Sequence, residues 1–306
     1  MALSLRQNNV RGSVGLDIDG RYVAAVQAES GRLTSVASRE LPEGLIRDGE
    51  VVDPDALADH LKRFASEAGL PKRIRLGVAN QQIVVRVVEL PQIEDAAERA
   101  AAVRFQAAET IAMPLDEAVL DHQVVGYSPA EDGPTRMQVL LVAARASMVQ
   151  SLVVAAKQAG LKPESVDLDA FALVRMLADE TPDDSARVFC HLGSVTNLAI
   201  AVRSTCFFTR PLSMASEGEG AASMLADEIR LSIDYYMAQP NARPVGELVL
   251  AGPGSQDEAF VAELGEQVGL ATRVAEPLRG LDTSGVTIDD PRRYTVAAGL
   301  AVGEAA

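Results

Sequence analysis

The chain has 306 residues, enough for two units each with its own core; 48% are hydrophobic, only 4% are aromatic and none is Trp. Its 43 acidic and 28 basic residues leave a net charge of −15, a field that repels nucleic acid and anionic lipid. No apolar stretch approaches the ~20 residues of a spanning helix, and the N-terminal residues hold no signal-peptide core, so a soluble cytosolic protein is expected.

Residues 14–27, VGLDIDGRYVAAVQ, read as a strand, a tight turn at Asp19-Gly20 and a returning strand, with a third strand expected at 33–40. Residues 1–11 are polar and expected to be loose. Asp53-Pro54 is an N-cap with proline at the first helical position, and Leu57, Leu61 and Phe64 share one face of the helix running to Gly69. Strands are expected at 73–79 and 83–90, the second ended by Pro91. Glu94, Asp95 and Glu98 open a helix that stops before Pro114. Its apolar positions are Ala97, Ala100, Val103, Phe105, Ala108 and Ile111, and Phe105 is placed in the core against 84–88. Strands at 118–127 and 136–144 flank the loop 128–135, and a helix at 147–159 ends on Gly160. Residues 41–160 thus read as one inserted module.

A strand at 161–166 and a helix capped by Asp169 follow, and the acidic loop 179–185 marks the domain boundary. The opening pattern then returns: a strand at 188–191, a Gly193-Ser194 turn, a strand at 197–202 and a third at 205–210. Aligning the copies puts His191 where the first has Asp17, and Gly193 where it has Asp19. Cys190 and Cys206 fall on the first and third strands of this second copy, too far apart to bridge if the middle strand lies between them, and read as buried thiols. A long helix ending near Gln239, the linker 239–244, a strand at 247–251, the turn Gly252-Pro253-Gly254, a helix at 256–269, a short strand at 271–274 and a last helix from Asp290-Pro291 complete the chain.

Chemistry-bearing motifs are few. Cys, His and Asp show no metal-ligand spacing, there is no GxSxG or Walker motif, and GPGSQD at 252–257 is not a dinucleotide fingerprint. Asp17 reads either as a metal-site carboxylate or as a satisfied strand-end acid; His60 and His122 read as structural, and so does His191 in preference to a replacement general base, since a lone His with no ordered partner is usually structural. Tyr235-Tyr236 reads as helix packing.

The stretches LPEGLIRDGEVVDPDALADHLKRF, RVVELPQIEDAAERAAAVRFQAAETIAMPLDEAVLDHQVVG and LLVAARASMVQSLVVAAKQAGLKPESVDLDAFALVRML, with DEIRLSIDYY, LAGPGS and AAGLAV in order after them, resemble the PilM family of type IV pilus assembly proteins. That family lies in the actin-like ATPase superfamily, beside FtsA. The resemblance implies an α/β, duplicated actin-like (RNase H-like) fold with an inserted small α+β subdomain in the first half. It assigns 12–40, 161–180 and 290–306 to the first actin-like subdomain, 41–160 to the insertion and 186–289 to the second subdomain. It also implies a nucleotide cleft at Asp17, Gly20, Gly193, Ser194, Gly252 and Gly254. The implied partner is the N-terminal peptide of a PilN-like membrane protein, held between the insertion and the first hairpin unit by Leu90, Pro91, Phe105, Ile111 and Pro114, with Arg86 for a carbonyl or carboxylate.

The departures from the family pattern converge on that cleft. The turn Asp19 to Tyr22 lacks the usual hydroxyls and lysine and carries an acid at the phosphate position. His191 stands for an aspartate, Pro253 removes an amide donor, and only 213–223 remain of a small helical subdomain. The expectation is therefore a structural adaptor with a degenerate nucleotide site, no required cofactor, ATP and Mg in doubt, no catalytic residue and no metal. Its station would be the inner membrane, through its partner, with self-association open. The rivals are a nucleotide-driven switch, an FtsA-like division protein, a sugar or acid kinase, and a GspL-like secretion protein.

Overall fold

Val14, Leu16 and Ile18 alternate with Gly15 and Asp17, which sorts them to opposite faces of a strand. The computed structural model describes residues 14–128, 135–179, 184–212, 218, 220–239 and 242–303. There the strand is β1 (Val14–Ile18), covered on both faces. The first half continues with β2 (Tyr22–Glu29), β3 (Arg32–Glu40), the short pair β4 (Ile46–Arg47) and β5 (Glu50–Val51), α1 (Pro54–Glu67) and β6 (Arg73–Val78). Next come β7 (Val84–Pro91), α2 (Ala96–Thr110), β8 (Ala118–Ser128), β9 (Arg136–Arg145), α3 (Ala146–Gln158), β10 (Lys162–Leu168) and α4 (Asp169–Leu177). The second half holds β11 (Ala186–Leu192), β12 (Thr196–Val202), β13 (Thr205–Leu212), α5 (Ala221–Met237), β14 (Val245–Ala251), α6 (Glu258–Val268) and β15 (Ala271–Val274), and α7 (Thr295–Val302) closes the chain.

The two main sheets have one topology. Their orders are β10-β6-β1-β2-β3 and β13-β12-β11-β14-β15. In each, the first strand pairs antiparallel with the second and parallel with a later one, β6 or β14. The duplication read from the two hairpins is thus a duplication of whole sheets. Val14, Leu16 and Val23 pack under α1 and α3 through Leu57, Leu61, Phe64, Val149 and Leu152. The other face of this sheet, Ala24 and Val26, meets Ala297, Ala298 and Ala301 of α7. In the second sheet Val188, Ile200 and Leu248 meet α5 and α6, while Phe189, Ala199 and Val249 meet α4. So α7 and α4 form a middle layer between the sheets. Small residues let that layer close: a Cβ on Gly15 would stand 2.0 Å from the carbonyl oxygen of Ala297, and one on Gly299 2.0 Å from that of Ala172.

Several expectations change. β6 pairs with β1 and β10, so the module expected at 41–160 is smaller. α1, β6 and α3 belong to the first sheet and its cover, and the insertion is the sheet β7-β9-β8 with α2. The reason is that Ile74 and Leu76 are buried on the strand beside β1. Within the stretch 161–180, β10 joins the first sheet but α4 packs on the second. Phe105 is not core: it is 70% exposed. α2 buries Val103 and Ala107, four residues apart, whereas Phe105 lies about 200° round the helix from Val103. Asp169 does not cap α4; Leu168 is the N-cap residue and the Asp169 side chain is buried. The last helix begins as a 3-10 turn, Pro291–Tyr294, with Asp290 accepting from the Arg292 amide. Asp53 caps α1 as expected, accepting from the Ala56 amide at 2.9 Å. Cys190 and Cys206 are free and buried, with β12 between their strands. Residues 1–11, most of the loop 128–135, the centre of the boundary 179–185, part of the remnant 213–223 and part of the linker 239–244 lie outside the described residues.

Candidate functional site

The two hairpin turns meet across the cleft between the halves. In the first, the Asp19 amide donates to the Tyr22 carbonyl at 3.0 Å. In the second, the Ser194 amide donates to the Asp19 carboxylate, 2.9 Å from Oδ2 and 3.2 Å from Oδ1. The Ser194 hydroxyl donates to the Asp19 carbonyl. Glycine on either side makes the approach possible. A Cβ on Gly193 would stand 2.2 Å from Asp19 Oδ2, and one on Gly20, whose φ is +107°, 2.9 Å from Ser194 Oγ.

Beneath the turns lies a cavity of about 30 Å³, lined by Asp17, Asp19, Asp169, Gly77, Val78, His191 and Asn197 among others. That is room for water molecules. Asp17 ends β1 and Asp169 follows β10; the two strands run parallel to β6 between them, so both acids lie at the carboxyl ends of neighbouring parallel strands. Open α/β sheets form their ligand crevices there. Asp17 is 3% exposed and Asp169 8%. Burial raises the Asp17 carboxyl well above the ordinary carboxylate range, and the charges of Asp169 and Asp19 raise it further. Asp169 is pushed up to about 8, by burial first and then by Asp19 and Asp167. Both shifts favour the protonated carboxyl, which can donate a hydrogen bond. Among the described residues no group of three His, Cys, Asp or Glu side chains is arranged to hold a metal ion. Burial lowers the His191 pKa, so the ring is neutral, and its Nε2 has no partner among the described residues. Asp169 Oδ1 and Asn197 Oδ1 are likewise without a partner there.

Of the residues assigned to a nucleotide from the sequence, Asp17 lines the cavity, while Gly20, Gly193 and Ser194 form the two turns that meet above it. Gly252 sits behind them, where a Cβ would meet the Leu192 backbone at 2.8 and 2.9 Å, and Gly254 lies in the following 3-10 turn, Pro253–Gln256. The residues assigned to a partner peptide do not form one surface. Leu90 and Ile111 are buried between α2 and its sheet. Pro91, Phe105 and Pro114 are exposed. Arg86 donates to the Val85 carbonyl at 3.0 Å and stacks on Tyr235, 5.4 Å from the ring centroid. Tyr236 is core, its hydroxyl accepting from the Arg243 amide at 3.0 Å.

Sequence reasoning missed Asp169 and Asn197 as cleft residues. Asp169 looked like a helix cap; the signal was that the parallel strand before it ends in the same crevice as β1. Asn197 is paired with His191 in the β11–β12 register and had no signal of its own.

The model of the family described as type IV pilus assembly protein PilM matches residues 15–213. Among solved structures, a PilM–PilN type IV pilus biogenesis complex is similar over 95% of this chain and 98% of that one, with 22% identity and a TM-score of 0.79. The ethanolamine utilization protein EutJ from Carboxydothermus hydrogenoformans is similar over 95% and 89%, with 12% identity and a TM-score of 0.52. The fold is that of the actin-like ATPases. No helix among the described residues is long and apolar enough to cross a membrane. The match over residues 15–213 spans well over half of the sequence, and the chain belongs to the PilM family of type IV pilus assembly proteins.

Proposed function

We propose that this chain is a structural adaptor of type IV pilus assembly that binds the cytoplasmic N-terminal peptide of a PilN-like membrane protein and works without a nucleotide. The similarity to a PilM–PilN complex over nearly the whole of both chains supports the partner. The observation that carries the nucleotide-free reading is the cleft. Its cavity of about 30 Å³ is lined by three aspartates and by no lysine or arginine among the described residues. Phosphate charge needs cationic or amide partners rather than carboxyl groups. The residues present do not fit Mg-ATP. The chain therefore has no catalytic role, and no step depends on a cofactor.

Of the residues assigned to the peptide, Pro91, Phe105 and Pro114 of the insertion are exposed and so open to a partner, and that partner would hold the protein at the inner membrane. The test has two arms. Mg-ATP should leave the melting temperature unchanged, and the chain should co-elute with the detergent-solubilised partner. Deletion of the partner's cytoplasmic tail should abolish co-elution. Co-elution that survives the deletion, or a saturable rise in Tm with Mg-ATP, contradicts the proposal.

A further inference from the structure

We infer that the Asp19 carboxylate is an internal anion, which fills the oxyanion seat of the Gly193-Ser194 turn and latches the two halves together in place of a ligand. The inference rests on the nucleotide-free reading above and gives it a mechanism. A tight turn between paired strands presents backbone N–H groups as an anion-binding concavity. Here the Ser194 amide points at both carboxylate oxygens of Asp19, at 2.9 and 3.2 Å. Such a bond, with an ionised acceptor, is roughly twice as strong as a neutral one.

The donor and the acceptor come from different halves of the chain, 175 residues apart. The Ser194 hydroxyl returns a hydrogen bond to the Asp19 carbonyl, so the contact is reciprocal across the cleft. Space is the independent observation. A Cβ on Gly193 would lie 2.2 Å from Asp19 Oδ2, so the carboxylate occupies the volume immediately over the turn. An external oxyanion would need the same volume and the same amide. A tethered group competes at an effective concentration of about millimolar or more, so an external anion of equal affinity would have to exceed that level to displace it. Among the described residues the carboxylate's hydrogen bonds come from the Ser194 amide on the second turn.

The test is chemical rescue in the full chain. Asp19→Ala removes the carboxylate and leaves a space of formate size. The variant should melt below wild type. Sodium formate should restore at least half of the loss, saturably and beyond sodium chloride of equal ionic strength, and inorganic phosphate should also raise the variant's Tm. Wild type should answer to neither anion. A variant as stable as wild type, or one that formate helps no more than chloride, overturns the inference. Should Asp19→Ala not fold, hydrogen exchange of the Ser194 amide in wild type decides: exchange slower than that of an exposed turn amide supports the latch, and equal exchange overturns it. A wild-type Tm raised by Mg-ATP contradicts the nucleotide-free reading and the filled seat together. Failed rescue with wild type indifferent to Mg-ATP contradicts the filled seat alone.

Discussion

The guanidinium of Arg86 on β7 lies over the ring of Tyr235 on α5, 5.4 Å from its centroid, and joins the inserted sheet to the second half. Tyr235 also meets the Phe208 ring at 5.6 Å, so one face of α5 reaches two sheets. A cation over an aromatic face at a partly exposed site is worth about 0.5–1 kcal/mol. Arg86→Ala and Tyr235→Leu should each lower stability, and a double-mutant cycle by urea denaturation should return a coupling of that size. Additive effects would mean that the stack carries no energy. Because Arg86 is engaged here, Arg86→Glu should alter partner binding less than a change at Phe105.

Phe105→Ala should shift stability by less than about 0.5 kcal/mol, because its ring is 70% exposed. Leu141 is fully buried on β9 beneath α2, and Leu141→Ala should cost about 2–5 kcal/mol. Denaturant midpoints of the two variants check the assignment of the helix face. A large loss at Phe105 would contradict it.

That face shows where the sequence was legible and where it was not. The strands and their duplication could be read because alternation has a period of two and each hairpin carries its own turn residues. α2 misled because alanines supply apolar residues all round it, leaving Phe105 to suggest a face that Val103 and Ala107 in fact define. The extent of the insertion was hidden because the pairing of β6 with β1 and β10 is non-local, and nothing between Arg73 and Val78 names its partner strands. In the cleft, the acid in the first turn was visible, but not its acceptance of the Ser194 amide. That contact depends on how two sheets stand against each other across α4 and α7.

The buried acids make stability depend on pH. Asp169 is pushed up to about 8 in the folded chain, against about 3.9 for an unperturbed aspartate. The folded state thus keeps a proton that the unfolded chain releases. The stability this proton supplies is fully present below the unfolded pKa and is lost as pH rises through about 8. Asp17 is shifted in the same direction and adds to the slope. Asp169→Asn mimics the protonated acid, so it should melt above wild type at the upper end of this window and show a flatter profile across it. Thermal melts over the range decide, and an unchanged slope would mean that Asp169 is ionised in the fold.

The most direct measurement is calorimetric titration of a synthetic peptide, the N-terminus of the PilN-like partner, into the wild-type chain with and without Mg-ATP. A few anchors on a modest surface should give micromolar affinity, roughly −8 kcal/mol, and the same Kd in both titrations. Binding that requires Mg-ATP, or no binding in either, would contradict the nucleotide-free adaptor.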